Sequence, residues 1–183
     1  RKYGLPVLYC NQAGGNDDLI FDGRSMALDA SGGLAARAAA FAEDVLLVDL
    51  DALGENAPAP RATALRPDDF SEESEAWRAL VLGVRDYAAK CGFKGALLGL
   101  SGGIDSALTA AVAAEALGPE NVLGVLMPSP YSSAGSVDDS LDLARRLGAK
   151  TLTLPIEGIM RAFEASLAPA FAGLPPDTTE ENV

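Results

Sequence analysis

The sequence predicts an α/β protein whose second half forms a doubly wound parallel sheet. Three observations point to this class. From residue 71 onward, short apolar runs alternate with longer runs of helical periodicity, and the connections between them are short. A serine- and glycine-rich turn separates one apolar run from the helix that follows it. Such alternation implies right-handed crossovers between parallel strands.

Residues 1–51 are predicted to be β-rich. Apolar strand segments are expected at residues 5–9, 19–21, 25–29 and 45–50. Asp22 and Gly23 form a hairpin-type turn signal between the second and third segments, and residues 31–33 (Ser-Gly-Gly) predict another turn. This segment would therefore add strands to a sheet.

Residues 52–70 are predicted to be a linker, because Pro58, Pro60 and Pro67 rule out a regular helix. Ser71 then caps a helix with an acidic first turn, which ends before Gly92. Trp77 and Cys91 follow the helical apolar spacing of this segment and are interpreted as core contacts.

The remaining segments complete the predicted strand and helix alternation. Strands are expected at residues 96–100, 122–127 and 151–154, and helices at residues 107–117, from 136 to 147, and 156–167. The middle helix is predicted to open at Ser136, with Asp139 as a partner resembling a capping box. Leu141, Ala144 and Leu147 mark its buried stripe.

The candidate site is the turn after the first of these strands, Ser-Gly-Gly-Ile-Asp-Ser at residues 101–106. Glycine amides at a helix N-terminus form an anion site suited to phosphates. No lysine lies between Lys94 and Lys150, so a Walker A loop is excluded, and adjacent glycines exclude the Rossmann spacing. The expected ATP- and pyrophosphate-binding residues are Gly99, Leu100, Ser101, Gly102, Gly103, Ile104, Asp105, Ser106 and Met127.

Asp105 is the candidate metal ligand, since a carboxylate at this helix start can hold a Mg²⁺ that bridges phosphate oxygens. The alternative is a plain glycine turn before a helix, in which Ser101 is a cap and Asp105 only favours the helix dipole. Both serines and the aspartate together favour the phosphate site.

Composition excludes several classes of function. The net charge is −12, which argues against a nucleic-acid groove, and the absence of histidine excludes a Ser-His-Asp or Cys-His catalytic arrangement. Cys10 and Cys91 are too isolated for a disulfide framework or a zinc site. No transmembrane run or signal peptide is visible, so no membrane association and a cytoplasmic location are expected.

The loop resembles the pyrophosphate loop of the ATP-pyrophosphatases, a type of adenine nucleotide alpha hydrolase fold. The stretch M-P-S-P-Y-S-S at residues 127–133 is similar to a segment that borders the ATP site in the NAD synthetases, with Pro130 where many members carry arginine. The final T-E-E-N-V resembles the start of their substrate segment, which implies that Glu181 and Asn182 contact deamido-NAD.

The segments L-P-V-L-Y-C-N-Q-A-G-G, F-D-G-R-S and D-A-S-G-G-L resemble the closing part of a nitrilase-like amidase domain, an α-β-β-α sandwich. The catalytic residues of that family lie upstream, so none for the glutaminase half is expected in this chain. Cys10 is interpreted as a core residue. The predicted domains are residues 1–51 (nitrilase-like), 52–70 (linker) and 71–183 (synthetase), and the chain is expected to be a piece of a longer protein.

Together these segments resemble the glutamine-dependent NAD synthetases. The resemblance implies ATP-dependent amidation of deamido-NAD through an adenylate, with ammonia from glutamine, Mg²⁺ as cofactor, and a homo-oligomer. Three alternatives stay open: a GMP synthetase-like enzyme, a tRNA-modifying ATPase and a non-catalytic nucleotide-binding module. The acidity of the chain opposes the second.

Overall fold

The computed structural model describes residues 3–54, 65–68 and 70–172. The chain divides into two compact units between Gly92 and Phe93. The described strands are β1 (Val7–Tyr9), β2 (Ala13–Asn16), β3 (Leu19–Asp22), β4 (Met26–Leu28), β5 (Leu34–Arg37), β6 (Ala96–Gly99), β7 (Val122–Leu126) and β8 (Lys150–Thr153). The described helices are α1 (Glu72–Cys91), α2 (Ile104–Leu117), α3 (Ala134–Leu147) and α4 (Glu157–Leu167).

The first unit contains an antiparallel sheet in the order β1-β4-β5 and a separate β2–β3 hairpin. Alanines on β4 and β5 face a small core, which also holds Leu53 at 1% exposure. Leu53 lies within the predicted linker, so the start of that segment is part of the folded unit. Pro58 and Pro60 lie outside the described residues.

The predicted hairpin at Asp22 and Gly23 is wrong. β3 pairs with β2, with Gly15 opposite Ile20, and β4 belongs to the other sheet. Gly23 and Arg24 both have positive φ, 72° and 60°, and they carry the chain from one sheet to the next. Residues that favour a left-handed turn fit both a hairpin and a crossing between two sheets, so the local sequence does not distinguish these two structures.

Residues 45–50 do not form the predicted strand, although they alternate as a strand would. Val45 and Leu47 are 82% and 88% exposed, whereas Leu46 and Val48 pack against the alanine core. This segment is held by side-chain packing rather than by a hydrogen-bonded strand ladder. The predicted turn at residues 31–33 is confirmed, with Gly32 at φ 83° between β4 and β5.

The core assignments of the two cysteines are wrong, because both thiols are exposed. Cys10 directly follows β1, which lies at the edge of its sheet. Cys91 is the last residue of α1. An apolar neighbourhood in sequence therefore does not bury either side chain in this chain.

Helix α1 begins and ends as predicted. The Ser71 hydroxyl accepts a hydrogen bond from the Ser74 amide at 3.3 Å, and Gly92 closes the helix at φ 74°. The helix packs on the β2–β3 hairpin, where Asp86 accepts from the Gly15 amide at 2.7 Å and Lys90 donates to the Gly15 carbonyl. The predicted domain bounds stay a prediction, and the division between compact units falls after this helix.

The Arg24 guanidinium binds the end of the linker to the first unit. Arg24 binds Asp22 at 2.6 Å, Asp68 at 2.8 Å and Glu75 at 2.5 Å, and it lies 5.9 Å from the ring centre of Phe70. Burial alone would lower the pKa of Arg24, but the hydrogen bonds to these three carboxylates raise it above its ordinary value. The last linker residues and the start of α1 are thereby tied to β3.

The second unit is a parallel sheet in the order β6-β7-β8, which confirms the α/β class. Because the strands follow one another in space as in sequence, right-handed crossovers place α2 and α3 on the same face. The core between this face and the two helices contains Leu100, Leu126, Ala110 and Ala144. No helix in the described ranges is long and apolar enough to cross a membrane.

The start of α3 differs from the prediction. Its N-cap is Ser133, whose hydroxyl accepts from the Ser136 amide at 3.0 Å, so Ser136 lies inside the first turn. The buried stripe also differs: Leu141 is 40% exposed, and Ser140 is buried at 2%. The serine cluster before the helix offers several possible caps, and the local sequence does not choose among them.

Candidate functional site

The serine–glycine loop lies between β6 and α2, as the sequence predicts. The Leu100 amide donates to the Val125 carbonyl at 2.8 Å, which extends the contact with β7 one residue beyond the strand. The Leu100 side chain is buried, and Gly103 is the N-cap of α2 without a side-chain capping bond. The loop is thus anchored at its start and opens onto a helix N-terminus.

The two serine hydroxyls hold the loop in shape. Ser106 Oγ donates to the Gly103 carbonyl at 3.0 Å and accepts from the Ser101 amide at 3.3 Å. Ser101 Oγ accepts from the Gly103 amide at 3.3 Å. These bonds close a small ring of polar groups across the turn.

The two adjacent glycines have different structural roles. Gly102 has φ 80°, and a Cβ there would fall 2.6 Å from the Ser136 carbonyl oxygen, so its backbone and packing both require glycine. Gly103 has φ −87°, and a Cβ there would meet only Ser101 Oγ at 3.4 Å. The fold of this chain therefore does not itself require glycine at position 103.

The loop forms one wall of an open cleft of about 220 Å³. The cleft lies at the carboxyl ends of β6 and β7, the edge where ligands bind in parallel sheets. The first turn of α3 forms another wall. The lining residues are Gly99, Leu100, Ser101, Leu126, Met127, Pro128, Ser132, Ser136 and Val137.

Two helices begin beside this cleft, and their first amides have no carbonyl partner within the helix. Ser101, next to the start of α2, and Ser136, in the first turn of α3, both line it. Each helix start also carries the positive end of a helix dipole. The arrangement favours a bound anion that is large enough to reach both helix starts.

Several predicted site residues are brought together here, and others are not. Gly99, Leu100, Ser101 and Met127 line the cleft, with Met127 half exposed beside Gly99. Ile104 is 80% exposed in the first turn of α2. Gly102, Gly103 and Ser106 belong to the loop but are not among the residues that line the cleft. Glu181 and Asn182 lie outside the described residues.

Asp105 is exposed in the first turn of α2 and is not among the residues that line the cleft. Its main-chain carbonyl accepts from the Thr109 hydroxyl at 2.8 Å. Within the described ranges, no group of three or more acidic, histidine or cysteine side chains could hold a metal ion. Any cation held by Asp105 would therefore need most of its ligands from another molecule or from water.

The resemblance places residues 127–133 beside the ATP site, and Ser132 of that loop lines the cleft. Sequence reasoning missed the contribution of α3, whose Ser136 and Val137 also line the cleft. Ser132 Oγ accepts from the Ser129 amide at 3.0 Å, so the loop after β7 has a serine-stabilised turn of its own. The available signal for α3 was the serine-rich stretch 127–133, which directly precedes this helix.

Comparison with known proteins gives the site a family context. The family model described as NAD synthase matches residues 76–183. The chain is 49% identical over 183 residues to a glutamine-dependent NAD(+) synthetase of Synechocystis sp., covering 100% of this chain and 32% of that protein. It is 50% identical over 180 residues to a protein of the same name from Rhodobacter capsulatus, covering 98% of this chain and 32% of that protein.

A solved structure shares the fold. It is a glutamine-dependent NAD+ synthetase from Acinetobacter baumannii in complex with ADP, with a TM-score of 0.84 and 42% sequence identity. The match covers 98% of this chain and 33% of that one. The chain thus spans about a third of the length of the relatives that it matches.

Proposed function

The chain belongs to the NAD synthase family, and from this premise we propose that its cleft binds ATP as part of a glutamine-dependent NAD synthetase. The complete enzyme would convert deamido-NAD to NAD and release AMP and pyrophosphate. The names of the relatives from Synechocystis sp. and Rhodobacter capsulatus support this reaction, and the ADP complex of the Acinetobacter baumannii structure supports the nucleotide.

The observation that carries the proposal is the glycine at position 103. Its backbone is compatible with any residue and its Cβ position is nearly empty. Because the fold does not require glycine at this position, the missing side chain leaves room for a ligand to approach the amides at the start of α2 closely. A polyphosphate is the ligand that this opening and the neighbouring hydroxyls suit best.

The reaction needs charge stabilisation rather than a protein nucleophile. The nicotinate carboxylate would attack the α-phosphorus of ATP, the bond to the β-phosphate would break, and pyrophosphate would leave. The loop amides and the Ser101 hydroxyl would donate hydrogen bonds to the charge that builds on the leaving pyrophosphate. Ammonia would then attack the acyl carbon and displace AMP. The absence of histidine from the chain is no obstacle to this chemistry.

Asp105 fits a magnesium ion that is held mainly by phosphate oxygens. Mg²⁺ usually takes one or two carboxylates in such sites and keeps several waters. A single exposed carboxylate at the helix start matches that donor set. The ion, when bound with ATP, would neutralise phosphate charge.

The source of ammonia and the second substrate are further proposals. Glu181 and Asn182 would contact deamido-NAD. Glutamine hydrolysis would depend on catalytic residues outside this chain. Cys10 is exposed and lines an open cavity, but a catalytic thiol needs an activating base, and the chain has no histidine to supply one. Glutamate release that disappears in Cys10→Ala would contradict this assignment.

We also propose that residues 1–51 are the closing part of a nitrilase-like domain, residues 52–70 a linker and residues 71–183 the start of the synthetase domain. A cytoplasmic homo-oligomer is expected. Two exposed, unpaired cysteines suit a reducing compartment, and the net charge of −12 is unfavourable for nucleic-acid binding.

Pyrophosphate release by the full-length protein tests the main proposal. Release with ATP, Mg²⁺ and ammonium should require deamido-NAD and yield NAD in equal amount. ATP binding without release under these conditions would favour a non-catalytic nucleotide-binding module. Release that depends on another acceptor would favour a different member of the pyrophosphate-loop ATPases.

A further inference from the structure

Ser140 is a buried hydroxyl on the apolar face of α3. It is 2% exposed, and the neighbouring positions on the same face belong to the core of the second unit or pack against it. Apolar residues are the usual occupants of such positions, so its hydroxyl is not explained by burial of apolar surface. Its one hydrogen is donated to the Ser136 carbonyl, at 2.8 Å.

The serine–glycine loop also packs against the Ser136 carbonyl. A Cβ on Gly102 would lie 2.6 Å from this oxygen, 2.7 Å from Ser136 Cα and 2.9 Å from Ser136 Cβ. These distances place the Gly102 backbone in direct packing contact with the first turn of α3. The position of the loop therefore depends on where that turn lies.

A serine hydroxyl bound to the carbonyl four residues earlier pulls on that carbonyl and bends the helix slightly. In α3 the carbonyl that accepts this bond is the one that meets Gly102. The Ser140 hydroxyl is thus linked to the loop through one carbonyl.

We propose that Ser140 is a positioning residue for the phosphate loop, which it holds in place through the Ser136 carbonyl and Gly102. This inference rests on the proposed binding of ATP in the cleft. Ser140 does not line the cleft, so it acts through its neighbours and not by contact with the nucleotide.

The test compares Ser140→Ala with Ser166→Ala in the full-length protein. Ser166 makes the same kind of bond, to the Ala162 carbonyl at 2.9 Å, on the exposed surface of α4. In Ser140→Ala the Ser136 carbonyl keeps its main-chain helix bond, and alanine has the higher helix propensity. The thermal unfolding temperature should therefore not fall in either variant. If Ser140 served stability alone, its substitution would leave ligand binding unchanged.

Isothermal titration with three probes separates the effects. Ser140→Ala should weaken binding of ATP and of inorganic pyrophosphate by about three- to tenfold, the worth of one neutral hydrogen bond. Binding of AMP, which lacks the leaving pyrophosphate, should change less than twofold. Ser166→Ala should match the parent with all three probes.

Unchanged pyrophosphate binding in Ser140→Ala would overturn the inference and leave the proposed function standing. Equal weakening of AMP and pyrophosphate would also overturn it, because the effect would then not be specific to the loop. A parent protein that binds neither ATP nor pyrophosphate would overturn the proposed function, and the inference with it.

Discussion

The hydroxyl oxygens of Ser101 and Ser106 lie 3.1 Å apart, and only one of the two hydroxyl groups can donate to the other. The Ser106 hydroxyl hydrogen is directed to the Gly103 carbonyl at 3.0 Å. Ser101 is therefore the donor of the pair. A phosphate oxygen is a stronger acceptor than a serine hydroxyl, so the Ser101 hydroxyl is the one that can turn to a ligand while Ser106 continues to hold the loop.

We expect Ser101→Ala and Ser106→Ala to weaken pyrophosphate binding for different reasons. Ser101→Ala removes one donor to an anion, which is worth about 1.5–3 kcal/mol, and it also removes the acceptor of the Gly103 amide. Ser106→Ala removes the bonds to the Gly103 carbonyl and the Ser101 amide. Hydrogen exchange should therefore accelerate at the Gly103 amide in Ser101→Ala and at the Ser101 amide in Ser106→Ala. Equal exchange rates in both variants would contradict this division of roles.

Substitution of the two neighbouring glycines should give opposite patterns. Gly102→Ala should destabilise the protein by about 2 kcal/mol or more, because of its positive φ and the contact with Ser136. Gly103→Ala should cost less than about 1 kcal/mol, yet weaken ATP binding at least about tenfold by crowding the helix amides. Urea unfolding and ATP titration on the same samples measure both effects. A Gly103→Ala protein with parental ATP affinity would refute the phosphate-site assignment.

Asp105→Asn distinguishes a metal ligand from a first-turn carboxylate that only favours the helix dipole. Gly103 is the N-cap of α2, so the substitution removes no capping bond, and loss of the charge should lower the free energy of unfolding by about 0.3–1 kcal/mol. As a ligand, asparagine retains the shape but loses the charge on which hard cations depend. Pyrophosphate release should therefore fall and require more Mg²⁺. Thermal unfolding is the control, and a parental rate with parental Mg²⁺ dependence would show that Asp105 only favours the helix dipole.

The start of the loop should be sensitive to the residue at position 124. A Cβ on Gly124 would lie 2.4 Å from Leu100 Cδ1, so Gly124→Ala overpacks the core and should cost about 1–3 kcal/mol. It should also weaken ATP binding, since Leu100 directly precedes Ser101. Leu100→Ala in the same protein makes room for the added methyl group. A double-mutant cycle should therefore show a coupling that partly restores stability, and simple additivity would argue against this contact.

The turn between β4 and β5 should contribute an acid-dependent term to stability. The Ser31 hydroxyl and then the Gly33 amide bind Asp29, at 2.6 and 2.8 Å, and hold the pKa of its carboxyl below its ordinary value. Because the folded pKa is depressed, the contribution is present above the unfolded pKa and is lost as pH falls through the folded one. Between about pH 5 and pH 2, the free energy of unfolding measured with urea should fall less in Asp29→Asn than in the parent. Ser31→Ala should fall between the two, and identical pH profiles would contradict the assignment.

The local signals in the sequence predicted α1 and the second unit well. Ser71 and Gly92 define α1 through capping chemistry that a few neighbouring residues determine. Three short apolar runs predicted β6, β7 and β8, and the parallel topology predicted that Ser101 and Met127 would reach one edge of the sheet. These features need only local propensity and a handedness rule.

Other features depended on contacts between distant segments. The turn at Asp22 and Gly23 has the composition of a hairpin, but β3 has its partner in β2. The contact between Gly102 and Ser136 joins the serine–glycine loop to the first turn of α3, which is far from it in sequence, and no periodicity in the sequence indicates it. The apolar residues next to Cys10 and Cys91 in sequence predict that both lie in a core. Their exposure depends instead on which faces of the sheet and the helix are covered by other segments.

The packing of α1 on the β2–β3 hairpin orders events during synthesis. The hairpin leaves the ribosome well before the helix, so the hairpin that α1 packs on has already been synthesised when Gly92 is added. β6 must wait for β7, which begins only at Val122, a delay on the order of seconds at ordinary translation rates. Helix α1 can therefore pack on the hairpin before the parallel sheet has its second strand, so that the buried residues of α1 are covered within the earlier unit.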